Sequence, residues 1–289
     1  MKRRQFLKVI PAGILSSTSL IPWMTSRAED TPVSATPEPQ DELLGPELDQ
    51  HIKDGLDKIK DFDRTYHDDV ILTPRQLGLL QSTVARLTRL QRFVGYANFN
   101  LLGFDEALKY AKLYPAIGQF TPEELSFTES VFFEDASHYG FWGTKVITEL
   151  TKQIPTRETI KLARTGHYLF RGEPLHMYEK IKRDVGDDVI LTSGIRGVVK
   201  QIHLFLSKAV KTNGNLSQAS RSLAPPGHSY HGIGDFDVGK KGFGGQNFTA
   251  AFSETDEYKR LRDLGYVMIR YPENNPFGVR FEPWHIKVI

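Results

Sequence analysis

The sequence predicts an α+β protein, with a mostly helical N-terminal region followed by a small α+β domain from about residue 185 to residue 289. Three observations carry this. Apolar residues recur at helical spacing through the front half. A short β-branched run stands at Val189-Ile190-Leu191-Thr192, and beyond it strand-like segments alternate with helices and long turns. A chain that is 39% hydrophobic and 25% charged has ordinary globular composition, which excludes a collagen, a coiled coil and a wholly disordered chain. With no Cys there is no disulfide, thiolate metal site or cysteine nucleophile, so any metal must be held by His, Asp or Glu.

Residues 1–28 read as an export signal. Lys2, Arg3, Arg4 and Lys8 form a basic front, Val9 to Met24 is modestly apolar, and Ser26 and Ala28 are the small residues that precede a cleavage point. The paired arginines followed by Phe6-Leu7-Lys8 resemble a twin-arginine signal. The expected destination is the periplasm or cell-wall space. This basic segment holds more than the whole net charge of +2, so the remainder is net acidic and offers no general surface for nucleic acid. Residues 29–46, rich in Pro, Glu, Asp, Thr and Ser, predict a flexible leader. No later segment approaches the roughly 18 apolar residues of a membrane span, so none is expected once the signal is removed.

Residues 47–184 form the predicted helical region. Leu48, Ile52, Leu56 and Ile59 keep helical spacing. Thr73-Pro74-Arg75-Gln76 combines a capping threonine, a first-turn proline and a glutamine at N3, ahead of the stripe Leu77, Leu80, Val84, Leu87 and Leu90. Thr121-Pro122-Glu123-Glu124 repeats that start signal. In residues 185–289 the run at Val189 predicts a buried strand, and Ile195, Val198, Val199, Ile202, Phe205, Leu206 and Ala209 predict a helix ended by Gly214. A turn-rich stretch over Ala224–Asn247 follows. Then come a helix near Thr255–Leu264 stopped by Gly265, a strand around Tyr266–Tyr271, and a strand-like segment from Gly278.

Chemistry-bearing residues concentrate in two stretches, Gly227-His228-Ser229-Tyr230-His231 through Asp235-Phe236-Asp237, and Phe281-Glu282-Pro283-Trp284-His285. Neutral imidazole and carboxylate suit zinc, and a hydrolytic site uses three protein ligands with a fourth position left for water. His231, Asp237 and His285 can supply the three. Glu282 can then take the water's proton. In an ideal strand positions 282 and 285 face opposite ways, so a kink near Pro283 is required if both serve one metal.

Taken together these residues resemble the VanY-type zinc D-alanyl-D-alanine carboxypeptidases, which trim peptidoglycan stem peptides. Ser193-Gly194-Ile195-Arg196 with Gln201 matches the family's first block. Ser229, His231 and Gly234 match the second, and Glu282–His285 match the closing Glu-Pro-Trp-His. The resemblance covers about residues 185–289 and implies a zinc-peptidase domain with a mainly antiparallel sheet. It also implies one zinc ion per chain on His231, Asp237 and His285, with Glu282 as general base and acid. Arg196 would stabilise the oxyanion, while Ser229 and Gln201 would contact the substrate's polar groups. The family usually places six residues between its first His and the Asp, whereas five separate His231 from Asp237; Asp235 is therefore the rival ligand. Peptidoglycan stem peptides are the implied substrate, and nothing points to an obligate protein partner. Alternatives are an endopeptidase acting on cross-links with the same chemistry, for which the helical region would shape the cleft, and a non-catalytic wall-binding protein.

The other readings of these residues are plain ones. His51, His67, His138, His167, His176 and His203 read as structural histidines. Gly234 to Lys240 has the spacing of a phosphate loop, but Lys241 stands where Ser or Thr is required.

Overall fold

The computed structural model describes residues 54–289. The predicted export signal, the leader and the first residues of the opening helix lie outside the described residues. Residues 54–60 are helical, as the spacing of Leu56 and Ile59 predicts. Helix α1 (Pro74–Val94) begins with a complete capping box. Thr73 Oγ1 accepts from the Gln76 backbone N–H, and the Gln76 side chain accepts from that of Thr73. After a short turn of helix comes α2 (Phe104–Leu113). Helix α3 (Pro122–Phe133) starts with the same device, built from Thr121 and Glu124. Glu124 also accepts two bonds from Arg86 on α1, 2.8 and 3.1 Å long, so one buried carboxylate both caps α3 and ties it to α1.

The region up to residue 184 is not uniformly helical. An antiparallel hairpin, β1 (Thr159–Lys161) and β2 (Tyr168–Phe170), interrupts it before helix α4 (Glu173–Val185). Each strand has only three residues, too short for alternation to register in the sequence. Strand β3 (Val189–Ser193) follows, then α5 (Val198–Lys211) and α6 (Leu216–Ser222). Strand β4 (Phe236–Lys240) lies within the stretch read as turns. Helix α7 (Asp256–Asp263) is capped by Thr255, and β5 (His285–Ile286) closes the chain. The sheet order is β3-β4-β5, antiparallel throughout.

Two expected strands shrink. Around Tyr266–Tyr271 only Ile269 pairs, by a single bridge to Ile286, and the segment from Gly278 is extended only at β5. Side-chain bonds replace the ladder there. Asn275 donates to the carbonyls of Pro272 and Val279, which folds the segment into a turn.

Helix α5 packs its apolar face (Val198, Val199, Ile202, Phe205, Leu206) into a core shared with Leu80, Leu87 and Leu90 of α1 and Phe127 and Val131 of α3. A second core joins Tyr178 and Ile181 of α4 and Leu261 of α7 to one face of the sheet, through Val189, Leu191, Phe236, Val238 and Ile286. Strand alternation then fixes what the other face carries. With Phe236 and Val238 in that core, Asp235 and Asp237 point the opposite way, and so does His285 beside Ile286. Among the described residues no helix is long and apolar enough to cross a membrane.

Candidate metal centre

Asp237 sits at the middle of the site because it is paired on both sides, with Ser193 on β3 and His285 on β5. An irregularity between Leu191 and Ser193 shifts the β3 register by one residue. That shift sets Ser193 rather than Thr192 opposite Asp237. His231 arrives from a 3-10 turn, Tyr230–Gly232, just ahead of β4. Its Nε2 lies 3.1 Å from Asp237 Oδ1, while His285 Nδ1 lies 3.4 Å from the same oxygen. The two imidazole rings stand edge to face with centroids 4.9 Å apart. One donor atom from each of His231, Asp237 and His285 falls within 4.8 Å of the others, and the three side chains are 1–4% exposed.

Each imidazole is oriented by the nitrogen that faces away from this point. His231 Nδ1 is 2.8 Å from the carbonyl oxygen of Gly194; a carbonyl only accepts, so Nδ1 carries the proton and Nε2 presents its lone pair. His285 Nε2 is 2.9 Å from Asp235 Oδ2, which leaves Nδ1 as the inward donor. Asp235 is itself held by Arg270 and by the backbone N–H of Val288 at 2.9 Å. The two aspartates point to the same side of the sheet but touch His285 on different sides. His228 is turned away, bonded to the carbonyl of Gly143 at 3.0 Å.

Charge follows burial and partners. Burial and then the Arg196 guanidinium push His231 down to about 4, so the ring is neutral and suited to a metal. Burial favours the neutral carboxyl of Asp237, but the charges of His231 and Arg196 outweigh it and hold its pKa well below the usual range. For His285 burial works against the imidazolium, while the bond to Asp235 and the charges of Asp237 and Glu282 prevail and raise it. Two imidazole nitrogens and a carboxylate oxygen converging in a buried cleft are a donor set that fits zinc, for which His285 must give up its inward proton.

Glu282 reaches this centre by a turn. The backbone N–H of His285 donates to the Glu282 carbonyl at 3.1 Å, so Pro283 and Trp284 sit in a reverse turn and positions 282 and 285 come to one side. Glu282 Oε2 is 3.6 Å from His285 Nδ1. Its carboxyl, pushed up to about 7 chiefly by burial, has the affinity for a proton that a general base needs at neutral pH. Arg196 lies before α5 rather than on it. It donates from Nε to Ser193 Oγ at 2.8 Å and from Nη2 to Asp237, leaving other N–H groups of the guanidinium uncommitted. Gln201 is engaged at both ends of its amide, donating to the Arg196 carbonyl at 2.8 Å and accepting from the Gly227 N–H at 2.9 Å. Ser229 is buried two residues before His231.

Sequence reasoning passed over two residues here. Tyr271 packs edge-on to His285 with ring centroids 5.5 Å apart. His167, read as a structural histidine, stands on the β1–β2 hairpin where the charges of Arg196, Asp237 and Lys200 all reach it. Neither has a sequence neighbour that signals the site, because each arrives from a different part of the fold.

A sequence model of one family, VanY: D-alanyl-D-alanine carboxypeptidase, matches residues 174–289. Over this segment the chain is similar to the VanY family. The VanY segment begins at residue 174 and so takes in α4, which the resemblance starting near residue 185 leaves out. Two solved structures are similar. The LdcB LD-carboxypeptidase, in a structure described as revealing the molecular basis of peptidoglycan recognition, is 23% identical with a TM-score of 0.37, over 45% of this chain and 63% of that one. The vancomycin resistance D,D-pentapeptidase VanY from a VanB-type cassette, in complex with Zn(II), is 23% identical with a TM-score of 0.37, over 47% of this chain and 82% of that one. The chain thus spans less than two thirds of LdcB. Comparison with curated proteins gives no match.

Proposed function

We propose that the protein is an exported zinc-dependent D-alanyl-D-alanine carboxypeptidase that trims peptidoglycan stem peptides. The observation that carries this reading is the convergence of His231, Asp237 and His285, with Glu282 3.6 Å from His285 Nδ1, in a segment similar to the VanY family. A zinc ion held there supplies Lewis acidity toward the scissile carbonyl and lowers the pKa of a water toward about 7.

The remaining work falls to the chain's own side chains. Glu282 Oε2 takes the water's proton and returns it to the departing amine, a task matched to a carboxyl raised to about 7. Arg196 is fixed by Ser193 and Asp237, and its uncommitted N–H groups meet the oxyanion as it forms. A donor positioned in advance contributes a few kcal/mol to such a step. Gln201 holds the loop of Arg196 against that of Gly227, and Ser229 contacts the peptide. The basic, apolar and small-residue pattern of residues 1–28 supports export, since cell-wall peptides lie outside the cytoplasm.

The test is incubation of zinc-loaded protein with a stem pentapeptide ending in D-Ala-D-Ala. Release of free D-alanine, abolished by chelator and restored by zinc, is the expected result. Turnover indifferent to chelator overturns it, and, with cross-linked peptidoglycan as a parallel substrate, loss of dimers without release of D-alanine from the pentapeptide indicates an endopeptidase instead.

A further inference from the structure

Among the described residues Lys200 has no counter-ion, in a place where a buried cation should have one. It lies on the first turn of α5, where the helix dipole already disfavours positive charge, and its ammonium group stands over the Phe99 ring at 5.9 Å from the centroid. Arg196 is close enough for its charge to act on Lys200, and His167 on the hairpin feels both cations. Burial and Arg196 both push the lysine down, to about 8, and no carboxylate acts in the opposite direction. Asp237, the carboxylate whose charge reaches His167, is committed to His231, His285 and Arg196.

A half-buried lysine beside an arginine, without an acid, costs stability. The arrangement persists at low cost only if an anion enters it. The backbone packs the segments that carry Lys200, Arg196 and the neutral His167 against one another. Ile195 N–H donates to the Tyr168 carbonyl at 2.8 Å, which presses the hairpin against the Ser193–Arg196 loop, and Gly197 N–H donates to Asn100, which does the same for the Phe99 segment. Phe99, His167 and Tyr168 all precede the VanY segment, so this wall is supplied by the helical region and its hairpin.

We propose that Lys200, with His167 beside it, binds the free C-terminal carboxylate of the peptide substrate and thereby restricts cleavage to the last residue. This rests on the peptidase reading above and adds the group that distinguishes trimming from cross-link cleavage. A peptide whose C-terminus is blocked lacks the anion and leaves the lysine unpaired in the complex.

The experiment compares one stem pentapeptide as free acid and as C-terminal carboxamide, with zinc-loaded full-length protein. Wild type is expected to prefer the acid at least tenfold in kcat/KM. Lys200→Gln should lower turnover of the acid by about 10- to 100-fold, as for loss of a charge-assisted pair, and leave the amide within about twofold. Lys200→Arg should restore most of the preference. Lys200→Met should raise the melting temperature of the free protein, whereas a lysine kept for structure would lower it. An acid-to-amide ratio unchanged in Lys200→Gln, or a wild type that hydrolyses both peptides equally, overturns the proposal. If wild type cleaves neither peptide, the peptidase reading fails separately and calorimetric binding to Glu282→Gln protein decides. A preference for the acid that Lys200→Gln removes upholds the carboxylate site, and equal binding refutes it.

Discussion

Asp235 and His285 are joined by a 2.9 Å hydrogen bond from the imidazole Nε2 to the carboxylate, and Asp237 lies 3.4 Å from the opposite ring nitrogen. Two aspartates at alternate positions, 235 and 237, therefore flank the same histidine from opposite sides. Under the proposed function Asp237 supplies an oxygen to the metal, while Asp235, bonded to the outer ring nitrogen, fixes the ring and its tautomer.

Substitutions at the two positions should separate these roles. Asp237→Ala is expected to abolish measurable zinc binding, because it removes one of three donors. Asp235→Asn should retain about one zinc per chain with affinity lowered roughly 10- to 100-fold. It should also lower the melting temperature, since Arg270 loses its buried partner. Titration against a chelating indicator reads both. The reverse order of effects would make Asp235 the ligand.

Glu282→Gln isolates proton transfer from metal binding. The side chain is buried, and glutamine matches its shape without the carboxylate. Zinc content should be unchanged while kcat falls by about 10²- to 10⁴-fold, the usual contribution of a general base. A variant that keeps more than half of the wild-type kcat would remove Glu282 from the mechanism.

Much of this site is legible in the sequence because its residues sit in short local patterns. Glu282-Pro283-Trp284-His285 marks its own turn, and the capping boxes at Thr73 and Thr121 form where the residue types predict. What the sequence hides is long-range. Neither Tyr271 nor His167 belongs to a local pattern; packing across tens of residues delivers them. Strand β4 was masked by its own composition, since Asp235, Asp237 and Gly239 on one face read as turn residues until Phe236 and Val238 are seen in the core. The opposite holds near Tyr266–Tyr271, where β-prone residues lack a neighbouring strand long enough to pair with.

Gly194 should be intolerant of any side chain. A Cβ there would stand 2.0 Å from the Tyr168 carbonyl oxygen, a backbone atom that cannot swing away, while the Gly194 carbonyl holds His231. Gly194→Ala must move either the hairpin or the loop that fixes the imidazole. The expected result is a loss of at least about 2 kcal/mol in unfolding free energy, together with weakened zinc affinity. Denaturant titration with and without zinc measures both effects, and an alanine variant with wild-type stability would show that the hairpin does not pack on this loop.

His203 predicts the acid limb of stability. It is 8% exposed, accepts or donates one bond to Thr88 Oγ1 at 3.0 Å, and packs against the edge of Phe99. Burial first and the charge of Lys200 second push its pKa from the ordinary 6.5 down to about 4. The unfolded chain therefore takes up a proton as pH falls through 6.5, while the folded chain does so only near 4. Stability conferred by the neutral ring is complete above pH 6.5, declines between the two values and is gone below about pH 4, a total of about 3 kcal/mol. His203→Gln keeps a polar partner for Thr88 and does not titrate. Its unfolding free energy, measured in denaturant at pH 7, 5.5 and 4, should fall less steeply than that of wild type. Parallel curves for the two proteins would place the acid sensitivity in other residues.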